Sequence, residues 1–135
     1  MAAKAKKKRV QLSELQLAVM RELWRRGEAP TAEVAAALQV ERGLAHTTVA
    51  TLLTRLEKRG VVALRRDGRA LLYRARLSED EVRRSMVSEL VASLFRGDSA
   101  ALLAHLVSED EITPSDVARA RTRLRRAEKK GAGDV

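Results

Sequence analysis

The chain of 135 residues contains no cysteine. Disulfides, thiolate metal sites and thiol redox sensing are therefore excluded. Aromatic side chains are nearly absent too, since Trp24, Tyr73 and Phe95 are the whole set. Binding of single strands by stacking bases on rings needs more of them, so the composition argues against that mode. No apolar run reaches transmembrane length, and the basic start leads into Gln11-Leu12-Ser13-Glu14 rather than a signal-peptide core. A cytoplasmic protein is expected from this. The two histidines, His46 and His105, fall on different predicted elements. No phosphate loop, nucleophile elbow or His-Glu metal pattern occurs. The acidic clusters Glu79-Asp80-Glu81 and Glu109-Asp110-Glu111 lie at predicted helix starts or loops, where negative charge is favoured in any case. The expectation is a protein that is not an enzyme, with no cofactor and no metal.

Positive charge, by contrast, is plentiful. The chain holds 27 Lys and Arg against 18 Asp and Glu, a net +9. Such a balance favours an anionic partner, nucleic acid or a membrane surface. Part of it sits in Lys4, Lys6, Lys7, Lys8 and Arg9. Residues 1–11 read as a disordered basic arm, either one that follows DNA or a solubilising tail. The length allows one domain, or one small domain with an appendage.

Helical signals begin at once after the arm. Ser13 followed by Gln16 forms a capping box. Leu12, Leu15, Val19 and Leu23 recur at helical spacing, with Met20 and Trp24 widening the stripe. Gly27 ends this helix and Pro30 prevents simple continuation. Thr31 caps a short second helix with Val34, Ala35 and Leu38 inward, and Glu41-Arg42-Gly43 reads as a turn. The third helix has Val49, Leu52, Leu53 and Leu56 on one apolar face and stops at Gly60. Its other face carries Thr47, Thr48, Thr51, Thr54, Arg55 and Lys58. Short hydroxyls can approach base edges and phosphates, and the cations can pair with phosphate oxygens. Alone, that face is also compatible with ordinary solvation. Three helices in this order, the last basic and hydroxyl-rich, form a helix-turn-helix pattern.

After Gly60 the period changes. Val62–Arg66 and Ala70–Ala75 are short segments flanking Asp67-Gly68-Arg69, a hairpin signal. A hairpin following a third helix is a wing, and Arg65, Arg66 and Arg69 at its tip suit phosphate contact.

The remainder is helical. Ser78 and Glu81 make another capping box. Val82, Met86, Leu90 and Leu94 form one stripe, with Val87, Val91 and Phe95 beside it. Gly97-Asp98-Ser99 breaks the helix, and the next one offers Leu102, Leu103, Leu106 and Val107. Thr113-Pro114 starts a last helix with Val117, Ala120 and Leu124 before a basic end from Arg125 to Lys130. Such wide apolar surfaces need partners on more than one side, which points to dimerisation with twofold symmetry; a monomeric helical domain is the alternative. The predicted fold is mainly α with a small β-hairpin. The predicted partition is an arm over 1–11, a winged helix-turn-helix DNA-binding domain over 12–77, a helical dimerisation domain over 78–127 and a flexible tail over 128–135.

The chain also resembles a known family, the penicillinase-repressor (BlaI/MecI/CopY-like) winged-helix repressors. The resemblance lies in Val19-Met20-Arg21-Glu22-Leu23-Trp24, in Thr47 through Leu56, in Gly68-Arg69-Ala70-Leu71-Leu72-Tyr73 and in Leu94-Phe95-Arg96-Gly97-Asp98-Ser99. It runs from about Leu12 to Leu124. It implies a homodimeric repressor on a palindromic double-stranded operator, with the third helix in the major groove and the wing on the backbone. Carried over, Thr47, Thr48, Thr51 and Arg55 are the groove and phosphate candidates, with His46 at the helix start and Arg69 in the wing. Some members are released when a membrane-bound sensor metalloprotease system triggers cleavage in the C-terminal region, which corresponds here to Ala104-His105-Leu106-Val107. Copper-responsive members carry a C-terminal cysteine cluster, which this chain lacks. A winged-helix dimeric protein-interaction scaffold with nonspecific nucleic-acid binding shares the same fold and remains the alternative.

Overall fold

A computed structural model describes residues 10–133. In chain order it contains α1 (Glu14–Arg26), β1 (Glu28–Pro30), α2 (Thr31–Arg42), α3 (His46–Lys58), β2 (Val62–Asp67), β3 (Ala70–Ala75), α4 (Glu79–Phe95), α5 (Ser99–Ser108) and α6 (Pro114–Gly133). The chain divides into two compact units, one ending at Glu89 and one beginning at Leu90, so the division falls inside α4.

In the first unit, local signals place the helix ends. The Ser13 hydroxyl accepts from the Gln16 amide at 3.1 Å, and the Ser13 amide donates to Gln16 Oε1 at 2.9 Å. Gly27, at φ 83°, closes α1 with its N–H on the Leu23 carbonyl. The second helix has Pro30 rather than Thr31 at its N-cap, with no side-chain cap, because Thr31 is already helical. It runs two residues further than the sequence signals placed its turn: Glu41 and Arg42 are helical, and only Gly43 leaves the helix, in the left-handed region at φ 68°. That conformation costs glycine nothing and a side-chain-bearing residue something, which is why the stop falls there.

The hairpin forms as expected, in the register Val62↔Ala75 through Asp67↔Ala70. Its connection is the two-residue turn Gly68-Arg69, with Asp67 still in the strand. A third strand, β1, joins it: Glu28 opposes Arg74 and Pro30 opposes Leu72, giving the order β1-β3-β2. Proline is tolerated there because β1 is an edge strand.

One apolar core holds this unit together. Val19, Met20 and Leu23 of α1, Val34 and Leu38 of α2, and Val49, Leu53 and Leu56 of α3 are fully buried, with Ala29, Val62 and Tyr73 of the sheet beside them. Two ion pairs tie α1 to α2 across this core: Arg42 to Glu14 at 2.9 Å and Arg26 to Glu33 at 3.3 Å. Glu22 is the buried carboxylate of the unit and pairs with Arg25 and Arg26.

Two expectations about the ends of this unit are corrected. Val10 and Gln11 do not belong to a disordered arm. Val10 is buried and donates its amide to Ser85 Oγ at 2.9 Å, while the Gln11 carbonyl accepts from Arg59 Nη2 at 2.8 Å. Residues 1–9 lie outside the described residues. At the other end, Val82, assigned above to dimerisation, is buried in the first unit's core, with Met86 packed against it. Val82 is therefore covered by its own chain, whereas Met86 is half-buried. The Ser78–Glu81 capping box that starts α4 is present, with both bonds at 3.0 Å.

The second unit contains the end of α4, then α5 and α6. Gly97, at φ 85°, turns the chain, and the Asp98 carboxylate caps α5 by accepting from the Ala101 amide at 3.1 Å. Thr113 and Asp116 cap α6 reciprocally, at 2.8 and 3.2 Å. The Thr113 backbone amide, aided by its hydroxyl and by Arg119, holds the Asp116 carboxyl below its ordinary range. The Phe95 and His105 rings meet at 5.9 Å. Among the described residues, no side chain of α5 or α6 is buried. The C-terminal segment is also corrected: residues 128–133 continue α6 instead of forming a flexible tail.

Candidate nucleic-acid interface

The inner face of α3 is spent on the core, so its outer face is what the fold presents. Thr48, Thr51, Arg55 and Lys58 follow one another at intervals of three, four and three residues. They form a single row roughly 15 Å long on a helix rising about 1.5 Å per residue. All four are exposed, as are His46 and Thr47 at the helix start. Among the described residues, neither Arg55 nor Lys58 has an ion-pair partner. Thr54, also on the outer side, is different. Its hydroxyl donates to the Ala50 carbonyl at 2.9 Å and is used within the helix.

The start of α3 contributes a feature that the sequence reading missed. Its N-cap is Ala45, with no side chain hydrogen-bonding the first turn, and that turn carries no acid. The first backbone N–H groups of α3 thus remain open donors, beside His46 and Thr47. Open donors at a helix start, aligned with the helix dipole, are suited to a phosphate oxygen. The signal was available in the sequence as an alanine where Ser, Asp or Thr would ordinarily stand.

In the wing, the three arginines separate. Strand alternation puts Arg65 and Arg66 on opposite faces of the hairpin, opposite Leu72 and Leu71 respectively. Arg65 reaches across β3 to Glu28, donating Nε and Nη2 at 2.6 and 2.7 Å. This bidentate pair lowers the Glu28 carboxyl and raises the Arg65 guanidinium relative to their ordinary values. Arg65 therefore does not stand free for phosphate, contrary to its expected role. Arg66 and Arg69 remain exposed and without an ion pair among the described residues. Arg74, exposed on the same sheet face as Arg65, is a further wing cation that the hairpin pattern alone did not single out.

The apolar residues assigned to dimerisation divide likewise. Val82 is covered and Met86 is half-buried, as described above. Leu94 and Leu103 are 70% and 57% exposed, and Leu90, Val117 and Leu124 are exposed as well. Val91, Phe95, Leu102 and Leu106 are half-buried within the second unit. Among the described residues, no single helix is long and apolar enough to cross a membrane, and no group of acids and histidines is placed to hold a metal ion.

A three-helix unit with its third helix outward, followed by an antiparallel wing, is the architecture of winged-helix DNA-binding proteins. Residues 12–126 match the family model described as the penicillinase repressor. The chain belongs to that family and is a winged-helix DNA-binding transcriptional repressor. It is similar to the transcriptional regulator BlaI of Mycobacterium tuberculosis, 39% identical over 83% of each chain. The penicillinase repressor of Staphylococcus aureus is 22% identical over 91% of this chain and 98% of its own length. Among solved structures, the monomeric form of Bacillus licheniformis BlaI in complex with the blaP half-operator superposes with a TM-score of 0.50. That match has 30% identity and covers 55% of this chain and 90% of that one.

Proposed function

We propose that two copies of the chain bind a palindromic operator, each setting α3 into the major groove of one half-site, and so block the promoter beneath. The observation that carries this reading is the exposed row Thr48, Thr51, Arg55 and Lys58 on a helix whose other face is sealed into the core. In this reading the threonines approach base edges, and Arg55 and Lys58 pair with groove or backbone acceptors. The open start of α3 takes a phosphate, and Arg66 and Arg69 hold the neighbouring backbone. The relative solved on a half-operator supports the docking mode.

The homodimer is supported by the second unit, whose helices leave Leu94, Leu103 and Val107 at least half exposed and, among the described residues, bury no side chain of α5 or α6. A second copy supplies the missing cover, as the twofold operator requires. The domain reading follows: DNA contact belongs to the unit before Glu89, and dimerisation to the end of α4, α5 and α6. The place of action is the cytoplasm, where the operator is. The chain itself performs no catalysis. Release by a sensor metalloprotease system is part of the proposal. The stretch Ala104-His105-Leu106-Val107 lies within α5, so a protease that takes extended substrate needs α5 to unwind first.

The test is a competition binding assay on DNA upstream of the chain's own gene and its neighbour, against a scrambled fragment of equal length, at two salt concentrations. A protected palindrome that survives the higher salt supports the operator reading. Equal binding to both fragments, lost together as salt rises, overturns it in favour of a basic dimeric scaffold.

A further inference from the structure

The last helix carries more positive charge than a dimerisation element requires, and its arrangement is regular. From Val117 to Lys130, seven residues are Arg or Lys and one, Glu128, is an acid. At 100° per residue, Arg119, Arg123, Arg126 and Lys130 fall within roughly 60° of one another, in a row about 16 Å long. Arg121, Arg125 and Lys129 form a second row on the neighbouring side. Val117, Ala120, Leu124 and Ala127 take the remaining face, so apolar and cationic sides are separated around the helix. All the cations are exposed, and among the described residues only Arg119 has an acidic partner, Asp116.

The arrangement differs from that of α4. In α4, Arg83 and Arg84 each follow an acid by four residues and pair with it, to Glu79 at 3.3 Å and Asp80 at 2.5 Å. In α6 the four-residue neighbours are like charges: Arg119 and Arg123, Arg121 and Arg125, Arg125 and Lys129, Arg126 and Lys130. Such pairs repel and destabilise a helix unless an external anion neutralises them. Five of the seven cations are arginine, the side chain whose planar fork grips phosphate by two parallel bonds. The apolar side offers only Val117 and Leu124 as large side chains, too little to embed a helix in a bilayer surface.

We infer that the cationic side of α6 is a second, sequence-independent contact surface for the phosphate backbone of duplex DNA, separate from α3 and the wing. Its role is to add salt-sensitive affinity for any duplex, leaving operator preference to α3.

The test uses the full chain carrying Arg123→Gln, Arg126→Gln and Lys130→Gln together, titrated on an operator fragment and on a long duplex without an operator. The slope of log affinity against log salt is expected to fall by about 2 to 3 per protomer, at about 0.9 for each phosphate that is no longer neutralised. Binding to the non-operator duplex weakens at least about tenfold and operator binding falls by a similar factor, so preference for the operator over that duplex is unchanged. A companion chain with Arg123→Lys and Arg126→Lys keeps the salt slope. An unchanged slope in the glutamine variant overturns the inference. So does a variant that becomes monomeric in sedimentation, which assigns the cations to acids of the second copy. Loss of binding to phosphatidylglycerol vesicles with DNA binding intact overturns it in favour of a membrane. Arg55→Ala, measured alongside, separates this result from the operator reading, because it lowers operator preference and leaves the non-operator slope largely in place.

Discussion

The unit ending at Glu89 and the unit beginning at Leu90 contain leucine and valine in similar proportion and use them in opposite ways. In the first, Met20, Leu23, Leu38, Leu53 and Leu56 are sealed from water, and ion pairs such as Arg42–Glu14 join one element to another. In the second, Leu94, Leu103 and Leu124 are more than half exposed, and the Arg119–Asp116 ion pair of α6 is local to one turn. The difference lies in geometry rather than composition. Three short helices and a sheet can surround a core within one chain, whereas α5 and α6 have too few facing elements to do so. Stability in the first unit is thus internal, and in the second, under the proposed dimer, it depends on a second copy and on concentration.

The sharpest way to break this contrast is Leu53→Ala. Removing a fully buried leucine is expected to cost about 2 to 5 kcal/mol, read as a lower urea midpoint. A loss well under that range would show that the first unit's core is not the closed one described. Next comes Leu94→Asp combined with Leu103→Asp. Sedimentation should then show monomers, with α1 to β3 still folded by circular dichroism and hydrogen exchange. A persistent dimer would move the interface away from these residues.

Arg55→Ala is expected to leave both units folded and dimeric and to weaken operator binding about tenfold, in keeping with about 1 to 3 kcal/mol for a specific contact. Unchanged affinity would remove Arg55 from the interface. The smallest effect belongs to Glu28→Gln, which releases Arg65 and should steepen the salt slope by about 1. The same pair has a pH signature. The Arg65 hydrogen bonds depress the folded-state value of Glu28, so its stabilising contribution is present above the ordinary carboxylate range and is lost as pH falls through the lowered value. A Glu28 carboxyl that titrates in the ordinary range by NMR would contradict the pairing.

The residues that act locally were legible before any coordinates. Ser13 with Gln16, Ser78 with Glu81 and the stop at Gly60 each work within a few residues, and the structure keeps all of them. The apolar stripe of α3 identified its inner face, and with it the outer face proposed to meet DNA. The hairpin turn, the wing and the family resemblance were readable in the same way.

What the tertiary structure decided involves partners far apart in the chain. Glu28-Ala29-Pro30 has no strand pattern of its own and becomes β1 only because β3 offers an open edge. Val10 leaves the arm because Ser85, distant in sequence, accepts its amide. Arg65 looks like its neighbour Arg66 until Glu28 captures it across the sheet. Val82 and Leu94 belong to one helix, yet one is buried in the first unit and the other is open in the second. Capping, turn geometry and periodicity depend on neighbouring residues and are therefore written in the order of the chain. Burial, edge pairing and ion-pair choice depend on what the folded chain brings close, and no local pattern specifies that.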